Sequence, residues 1–274
     1  MTNTAQVEYW NAAAGLTWAR FQASLDAQVS PLGEAAMAAL AVKPGERVLD
    51  IGCGCGQTSL QLAERVGPSG AVLGADISAP MLAVARGRGA PAHIRFAELD
   101  VQEGDFGEQK FDAAFSRFGV MFFSDPVAAF ANVLGALKPG GRLGFVCWRP
   151  LAENIWMRAP MEAARELLPE SPQGDPHAPG PFAFADAARV RELLWQAGFT
   201  AIDVVPHDAE IGGLDAAAAL DLALRVGPLG SVLRENPTLV SRAAALVAPA
   251  LARYATPDGI RMPAAVWIAT AQRP

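Results

Sequence analysis

The chain has 274 residues, of which 51% are apolar and 18% charged, and a formal charge of −6. That length accommodates one large domain with insertions, and the acidic balance argues against a nucleic-acid partner, whose phosphates call for a basic stripe. The opening segment MTNTAQVEYWNAAAG is polar and lacks the charged-then-apolar order of an export signal, and no apolar run reaches membrane-spanning length, so a cytoplasmic protein is expected.

Ahead of the first strand, Trp10, Ala14, Trp18, Phe21 and Leu25 recur at helical spacing. Residues 1–44 therefore read as a helical flap, which either docks on the body or closes an aromatic side chain over a ligand. Residues 45–149 form the core, where short apolar strands alternate with helices in the pattern of a doubly wound parallel sheet. The first strand ends in Asp50 and runs into Gly52, Gly54 and Gly56, after which Gln57 to Val66 has helical spacing. Glycines placed in this way take positive φ and let the loop amides face a bound molecule, and the helix N-terminus behind them favours a carboxylate or phosphate. The D-x-G-x-G-x-G spacing differs from the G-x-G-x-x-G of dinucleotide sites, and Asp50 sets a negative charge where a pyrophosphate would lie. A ligand carrying a cationic amine and a sulfonium suits the loop better, which leaves an NAD-type oxidoreductase as the least favoured reading.

Further pieces arrive in order: AVLGAD ending in Asp76, IRFAELDV with Asp100 and Val101, FDAAFS ending in Ser116, and the turn LKPGGRL before a strand through Trp148. With the glycine loop, this order resembles the class I S-adenosylmethionine (SAM)-dependent methyltransferases, and the glycine motif and fourth strand resemble their ubiquinone/menaquinone methyltransferase-like branch. The resemblance covers residues 45–148 well and the remainder poorly. It implies a Rossmann-like, seven-stranded, mostly parallel α/β sheet whose last strand is antiparallel, with a helical cap over the acceptor site. It also implies SAM as cofactor, Asp76 on the ribose hydroxyls and Asp100 on the adenine amino group. Asp50, Gly52, Gly54, Gly56, Ile77, Met81, Val101 and Ser116 would complete the cofactor site. Trp10 would close over the sulfonium, where cation–π attraction favours an aromatic ring.

Beyond Arg149 the alternation changes. Residues 150–185 hold an amphipathic stretch, Ile155 to Leu168, interrupted by Pro160, then an irregular Pro/Gly-rich loop from Pro169 to Pro181. A helix from Asp186 to Ala197 ends at Gly198, and Phe199 to Val205 reads as strand six. Residues 214–258 are helical in composition, with breaks near Gly227-Pro228 and Asn236-Pro237, and Ala264 to Thr270 is the last strand. Their many leucines and valines read mainly as packing, with some left to line an apolar acceptor pocket.

The segment after strand four, SRFGVMFFSDP, lacks the Asn-Pro-Pro-Tyr type motif of the enzymes of this class that methylate nucleic-acid amino groups. The acceptor is therefore expected to be a small molecule. Arg117, Phe118 and Trp18 are the candidate acceptor contacts; Arg117 either pairs an anionic acceptor or forms a salt bridge to an acid such as Asp125. Asp175, His177, Glu153 and Tyr254 are candidate general bases without a position, so no base is assigned. Cys53, Cys55 and Cys147 read as small packed thiols and no metal site is expected. Self-association is left open. A competing reading keeps the SAM-binding fold but assigns it a structural role or a different chemistry.

Overall fold

The structure, a computed structural model, describes residues 3–108, 110–168 and 175–274. Two helices lead the chain, α1 (Thr4–Asn11) and α2 (Ala13–Leu40). The expected single stripe is thus divided: Ala12 takes an extended conformation (φ −93°, ψ −151°), so Trp10 belongs to α1 and Trp18, Phe21 and Leu25 to α2. The break accompanies a close approach, because a Cβ on Gly15 would lie 1.9 Å from the carbonyl oxygen of Trp10.

The core follows as β1 (Arg47–Ile51), α3 (Gln57–Val66), β2 (Ala71–Asp76), α4 (Ala79–Gly87), β3 (Ile94–Glu98), β4 (Phe111–Arg117), α5 (Pro126–Ala136) and β5 (Leu137–Trp148). The second part comprises α6 (Ile155–Ala163), α7 (Ala187–Gln196), β6 (Thr200–Leu214), α8 (Ala216–Arg225), α9 (Gly227–Glu235), α10 (Val240–Ala252), β7 (Ala255–Thr256) and β8 (Gly259–Gln272). Asp186 caps α7 by accepting from the Ala188 amide at 2.8 Å, and Gly198 (φ +94°) ends it, as its sequence signals imply. The first residues of the expected irregular loop, 169–174, lie outside the described residues.

The sheet runs β3-β2-β1-β4-β5-β8-β6. The first five strands are parallel, and β8 is antiparallel to both β5 and β6. Seven strands make this path, as expected, and the two-residue β7 adds an eighth by pairing with the start of β8. Two boundaries need correction. Strand six extends to Leu214 rather than Val205, and the last strand spans Gly259–Gln272 rather than 264–270. Their registers, from Thr200↔Gln272 to Leu214↔Ile260, describe one long ribbon. Its extra length escapes the apolar pattern because β6 is an edge strand with an exposed face, where polar residues and Pro206 are tolerated.

The core lies on both faces of the sheet. Phe115, Phe130 and Phe145 are fully buried, and the Phe130 ring lies 5.6 Å from Phe145, 5.9 Å from Phe123 and 6.0 Å from Phe184. A second apolar cluster, including Leu229, Leu233, Val247 and Leu251, joins α9 and α10 to Ile260 and Met262 of β8, which makes a cap on the sheet. Among the described residues no single helix is long and apolar enough to cross a membrane; α8 and α9 reach that composition only as a pair bent by 62°.

Because Phe130 ties α5 to β5 and to the segment ahead of α7, Phe130→Ala should lower the unfolding free energy by about 3–5 kcal/mol, the usual cost of emptying a buried aromatic site. Urea unfolding followed by circular dichroism checks this, and a loss below about 1 kcal/mol would contradict the packing described.

Candidate cofactor and acceptor site

Strands β1 and β4 are neighbours, and the loops leaving their C-terminal ends almost touch. A Cβ on Gly52 would lie 2.9 Å from the Gly119 Cα, and one on Gly119 would lie 2.9 Å from the Ile51 carbonyl oxygen. The Ser116 hydroxyl ties the two loops by donating to the Ile51 carbonyl (2.8 Å) and accepting from the Gly119 amide (3.2 Å). Above this junction opens a cavity of about 1350 Å³, counting its mouth. In open α/β sheets this is the place where ligands bind.

One side of the cavity is built around Asp76. Its carboxylate accepts from the Gly54 amide (2.7 Å) and from the Ser78 amide (2.8 Å), one on each oxygen. The Ile77 amide also acts on this carboxylate, and a carboxylate has about four lone-pair positions, so at least one remains for a ligand hydroxyl. Burial pushes the Asp76 pKa up to about 6, against the lowering effect of those backbone amides. Ile77, Met81, Asp100 and Val101 line the same side, with Gly52 and Gly54 below them.

Three of the loop amides the glycine spacing would turn to a ligand are engaged within the protein. Those of Gly52 and Cys53 both donate to the Ala75 carbonyl, and that of Gly54 is taken by Asp76. The glycines serve conformation: Gly52 and Gly54 have φ of +64° and +54°, which an L side chain rarely adopts. Three residues expected at the cofactor, Asp50, Gly56 and Ser116, do not line the cavity. Asp50 is fully buried beneath the loop, where one oxygen accepts from the Thr58 (2.7 Å) and Ser59 (2.6 Å) hydroxyls while the other has no partner among the described residues. Burial drives its pKa up to about 6, against the lowering by those hydroxyls. The anion at the start of α3 is therefore the chain's own carboxylate. Gly56 is positioned by packing, since a Cβ there would lie 2.9 Å from that of Ala85.

Aromatic side chains line the cavity as well, Trp10 packing in one cluster with Met81 and Ile77. Trp10 and Trp18 line the cavity from α1 and α2, with Trp10 edge-on to Trp18 (5.8 Å) and to Phe122 (5.0 Å). Phe118 also lines it, at a left-handed φ of +64°, with its ring stacked on Trp148 at 4.1 Å. A bulky residue held in that conformation beside a cavity stores backbone strain that its surroundings must hold in place.

Arg117 reaches the cavity, but Asp125 is not its partner: Asp125 caps α5 through the Ala128 amide. The Arg117 guanidinium pairs with Asp26 at 3.1 Å and hydrogen-bonds Gln57, because the end of β4 faces α2 and α3 rather than α5. Asp26 also pairs with Arg88 at 2.5 Å, and Arg88 in turn bonds Gln22. This network joins α2, α3, α4 and β4. Sequence reasoning missed Asp26 and Gln22, although an acid immediately after Leu25 on an apolar helical stripe signals a buried charge needing a partner. It also missed Trp148, Trp156 and Met157, whose pattern is that of ordinary core. Glu153, Asp175, His177 and Tyr254 do not line the cavity. Cys53 and Cys55 do, with thiols raised by burial, that of Cys55 to about 12, so both are neutral near pH 7. Cys147 is elsewhere, beside the Phe184 carbonyl at 3.7 Å.

Residues 48–141 match the family described as "Methyltransferase domain". The chain is 34% identical over 132 residues to the ubiquinone/menaquinone biosynthesis C-methyltransferase UbiE of Pseudomonas aeruginosa LESB58, an alignment covering 47% of this chain and 52% of the relative. It is 42% identical over 106 residues to UbiE of Cellvibrio japonicus, covering 37% and 43%. The chain thus spans about half the length of the curated relatives it matches. Among solved structures, phosphoethanolamine N-methyltransferase 2 of Haemonchus contortus, with phosphomonomethylethanolamine and S-adenosylhomocysteine, superposes with a TM-score of 0.55 at 20% identity, over 89% of this chain and 52% of the other. The [4+2]-cyclase SpnF superposes with a TM-score of 0.52 at 21% identity, over 89% and 80%. Residues 48–141, which hold the ordered strand ends and the glycine loop, are thus similar to a methyltransferase domain, and the sheet path is that of solved methyltransferase structures.

Proposed function

We propose that this chain is a methyltransferase that moves the methyl group of SAM to a small, largely apolar acceptor such as a phenol or quinone. The observation that carries the reading is the joining, in one cavity, of a buried carboxylate with hydrogen-bonding capacity to spare and a set of aromatic rings. The cofactor fits the first part: Asp76 would accept from the ribose hydroxyls, Asp100 from the adenine amino group, and Ile77, Met81 and Val101 would enclose the base. The acceptor fits the second part, between Phe118 and Trp18. Similarity to C-methyltransferases of ubiquinone/menaquinone biosynthesis supports a flat, oxygen-bearing ring.

When bound, SAM supplies an electrophilic methyl group on a sulfonium. The chain's own contribution is to hold the nucleophile in line with it and to exclude water, and orientation of this kind supplies most of the acceleration such a reaction needs. Trp10 and Trp18 form the roof that does so. No side chain is assigned as general base. Arg117 is balanced by Asp26, so an anionic acceptor would have to displace that carboxylate to engage it. SpnF, a cyclase of the same fold, supports the competing reading in which the fold carries a different chemistry, and turnover alone separates the two.

Asp76→Ala should weaken SAM binding by about 1.5–3 kcal/mol, the usual worth of hydrogen bonds to a charged acceptor, with the fold retained. Isothermal titration reads the change, and unaltered affinity would remove Asp76 from the ribose. Binding should also depend on pH. With the carboxyl pKa raised to about 6, Asp76 is mostly ionised at pH 7 and mostly protonated at pH 5, so affinity for S-adenosylhomocysteine should fall about tenfold between those values. For the empty fold the sign is opposite: the raised pKa adds stability that is complete below the ordinary 3.8 and is lost as pH rises through 6. A flat binding profile from pH 7 to 5 would contradict the role given to this carboxylate.

A further inference from the structure

The roof helix α1 begins after Asn3, which stands in its N-cap position and is only 6% exposed. Asparagine is favoured at such a position because its side-chain oxygen accepts from an amide of the first turn. Here that bond is not made. The Asn3 backbone (φ −82°, ψ 24°) lies outside the extended conformation of a cap, and its Oδ1 is buried without a hydrogen-bond partner among the described residues. Asn3 lines the large cavity instead, together with Trp10 of the same helix.

Gln6 repeats the pattern, since its Oε1 is also buried without a partner among the described residues. Asn3, Gln6 and Trp10 follow one another at the three- and four-residue spacing that sets side chains on one helix face. The carboxamide at the other end of α1 is fully used: Asn11 donates to the Val7 (2.9 Å) and Ile77 (2.8 Å) carbonyls and accepts from the Ala79 amide (2.9 Å). Capping is therefore not the task of Asn3, and the fold gives its oxygen no other. A buried acceptor without a donor carries its full desolvation cost, which an N–H or O–H arriving in the cavity removes.

We propose that Asn3 is a ligand-binding residue whose Oδ1 accepts a hydrogen bond from an N–H or O–H of a molecule held in the cavity. The donor is an amino group of the bound cofactor or a hydroxyl of the acceptor, and the identity of both ligands rests on the methyltransferase reading. Because Asn11 fastens one end of α1 to Ile77 and Ala79, a ligand held at Asn3 fastens the roof at the other end too.

The test compares the full wild-type chain with Asn3→Leu, which keeps the bulk and removes the acceptor. Thermal unfolding is read without ligand, and calorimetric titration with S-adenosylhomocysteine, then with 1-naphthol and its donor-free ether 1-methoxynaphthalene in the presence of S-adenosylhomocysteine. Without ligand, Asn3→Leu should unfold at the wild-type temperature or above it, because a buried unpaired oxygen has been replaced by an apolar group. A donor from the cofactor shows as an affinity for S-adenosylhomocysteine about fivefold weaker in the variant. A donor from the acceptor shows as an equal weakening for 1-naphthol, with 1-methoxynaphthalene and S-adenosylhomocysteine unchanged. Unaltered affinity in both arms overturns the proposal. A lowered unfolding temperature overturns it as well, since the side chain would then be capping α1. Should Asn3→Leu fail to fold, Asn3→Ala is titrated in its place and read in the same way. Wild-type protein that binds S-adenosylhomocysteine with neither arm sensitive to Asn3 refutes this inference alone. Binding of 1-naphthol that depends on Asn3, in protein that does not bind S-adenosylhomocysteine, supports the inference and refutes the methyltransferase reading instead.

Discussion

The contact between Gly52 and Gly119 is the constraint on which the site depends. It brings the exits of β1 and β4 close enough for one hydroxyl, that of Ser116, to bridge them, so that Ile51 and Phe118 become walls of the same cavity. It also explains Phe118. The chain leaves β4 at Arg117 and must return to Gly52 within two residues, and the left-handed conformation at Phe118 makes that turn. The stacked Trp148 ring and the hydrogen bond from the Phe118 amide to the Val146 carbonyl (3.1 Å) then hold a conformation that a free phenylalanine avoids.

Two carboxylates at the ends of adjacent strands have different surroundings despite their shared raised pKa. Asp76 meets backbone amides and the cavity, while Asp50 meets hydroxyls and the packed base of α3. The first is open to the cavity. The second fixes the loop from beneath, and its unpartnered oxygen is a standing desolvation cost that the rest of the core must offset. The Arg88–Asp26–Arg117 network adds a third polar element at the cavity, and it binds α2 to the sheet more specifically than the helix's apolar stripe does.

The fold class was legible because strands β1 to β4 are short, largely apolar and separated by turns and helices in regular alternation. The glycine loop and Asp76 were legible because that backbone geometry restricts the residue types. Other features are set by contacts remote in sequence. Asp50 and Asp76 both follow apolar strand residues, and only the hydroxyls of Thr58 and Ser59, brought over by α3, distinguish them. The partner of Arg117 lies 91 positions away on α2, so a nearby acid such as Asp125 was the natural but mistaken choice. The ribbon of β6 and β8 defeated boundary assignment because each strand is specified by the other rather than by its own alternation.

The break at Ala12 has a mechanical consequence. Just before it, the Trp10 carbonyl accepts from the Ser78 hydroxyl at 2.7 Å, and the Asn11 side chain donates to the Ile77 carbonyl (2.8 Å) and accepts from the Ala79 amide (2.9 Å). These three bonds stitch the roof helix to the segment whose Ser78 amide holds Asp76. Displacing α1 would therefore pull on the segment that positions the Asp76 carboxylate, so the tryptophan above and the carboxylate below are mechanically coupled, as a latch and its catch are.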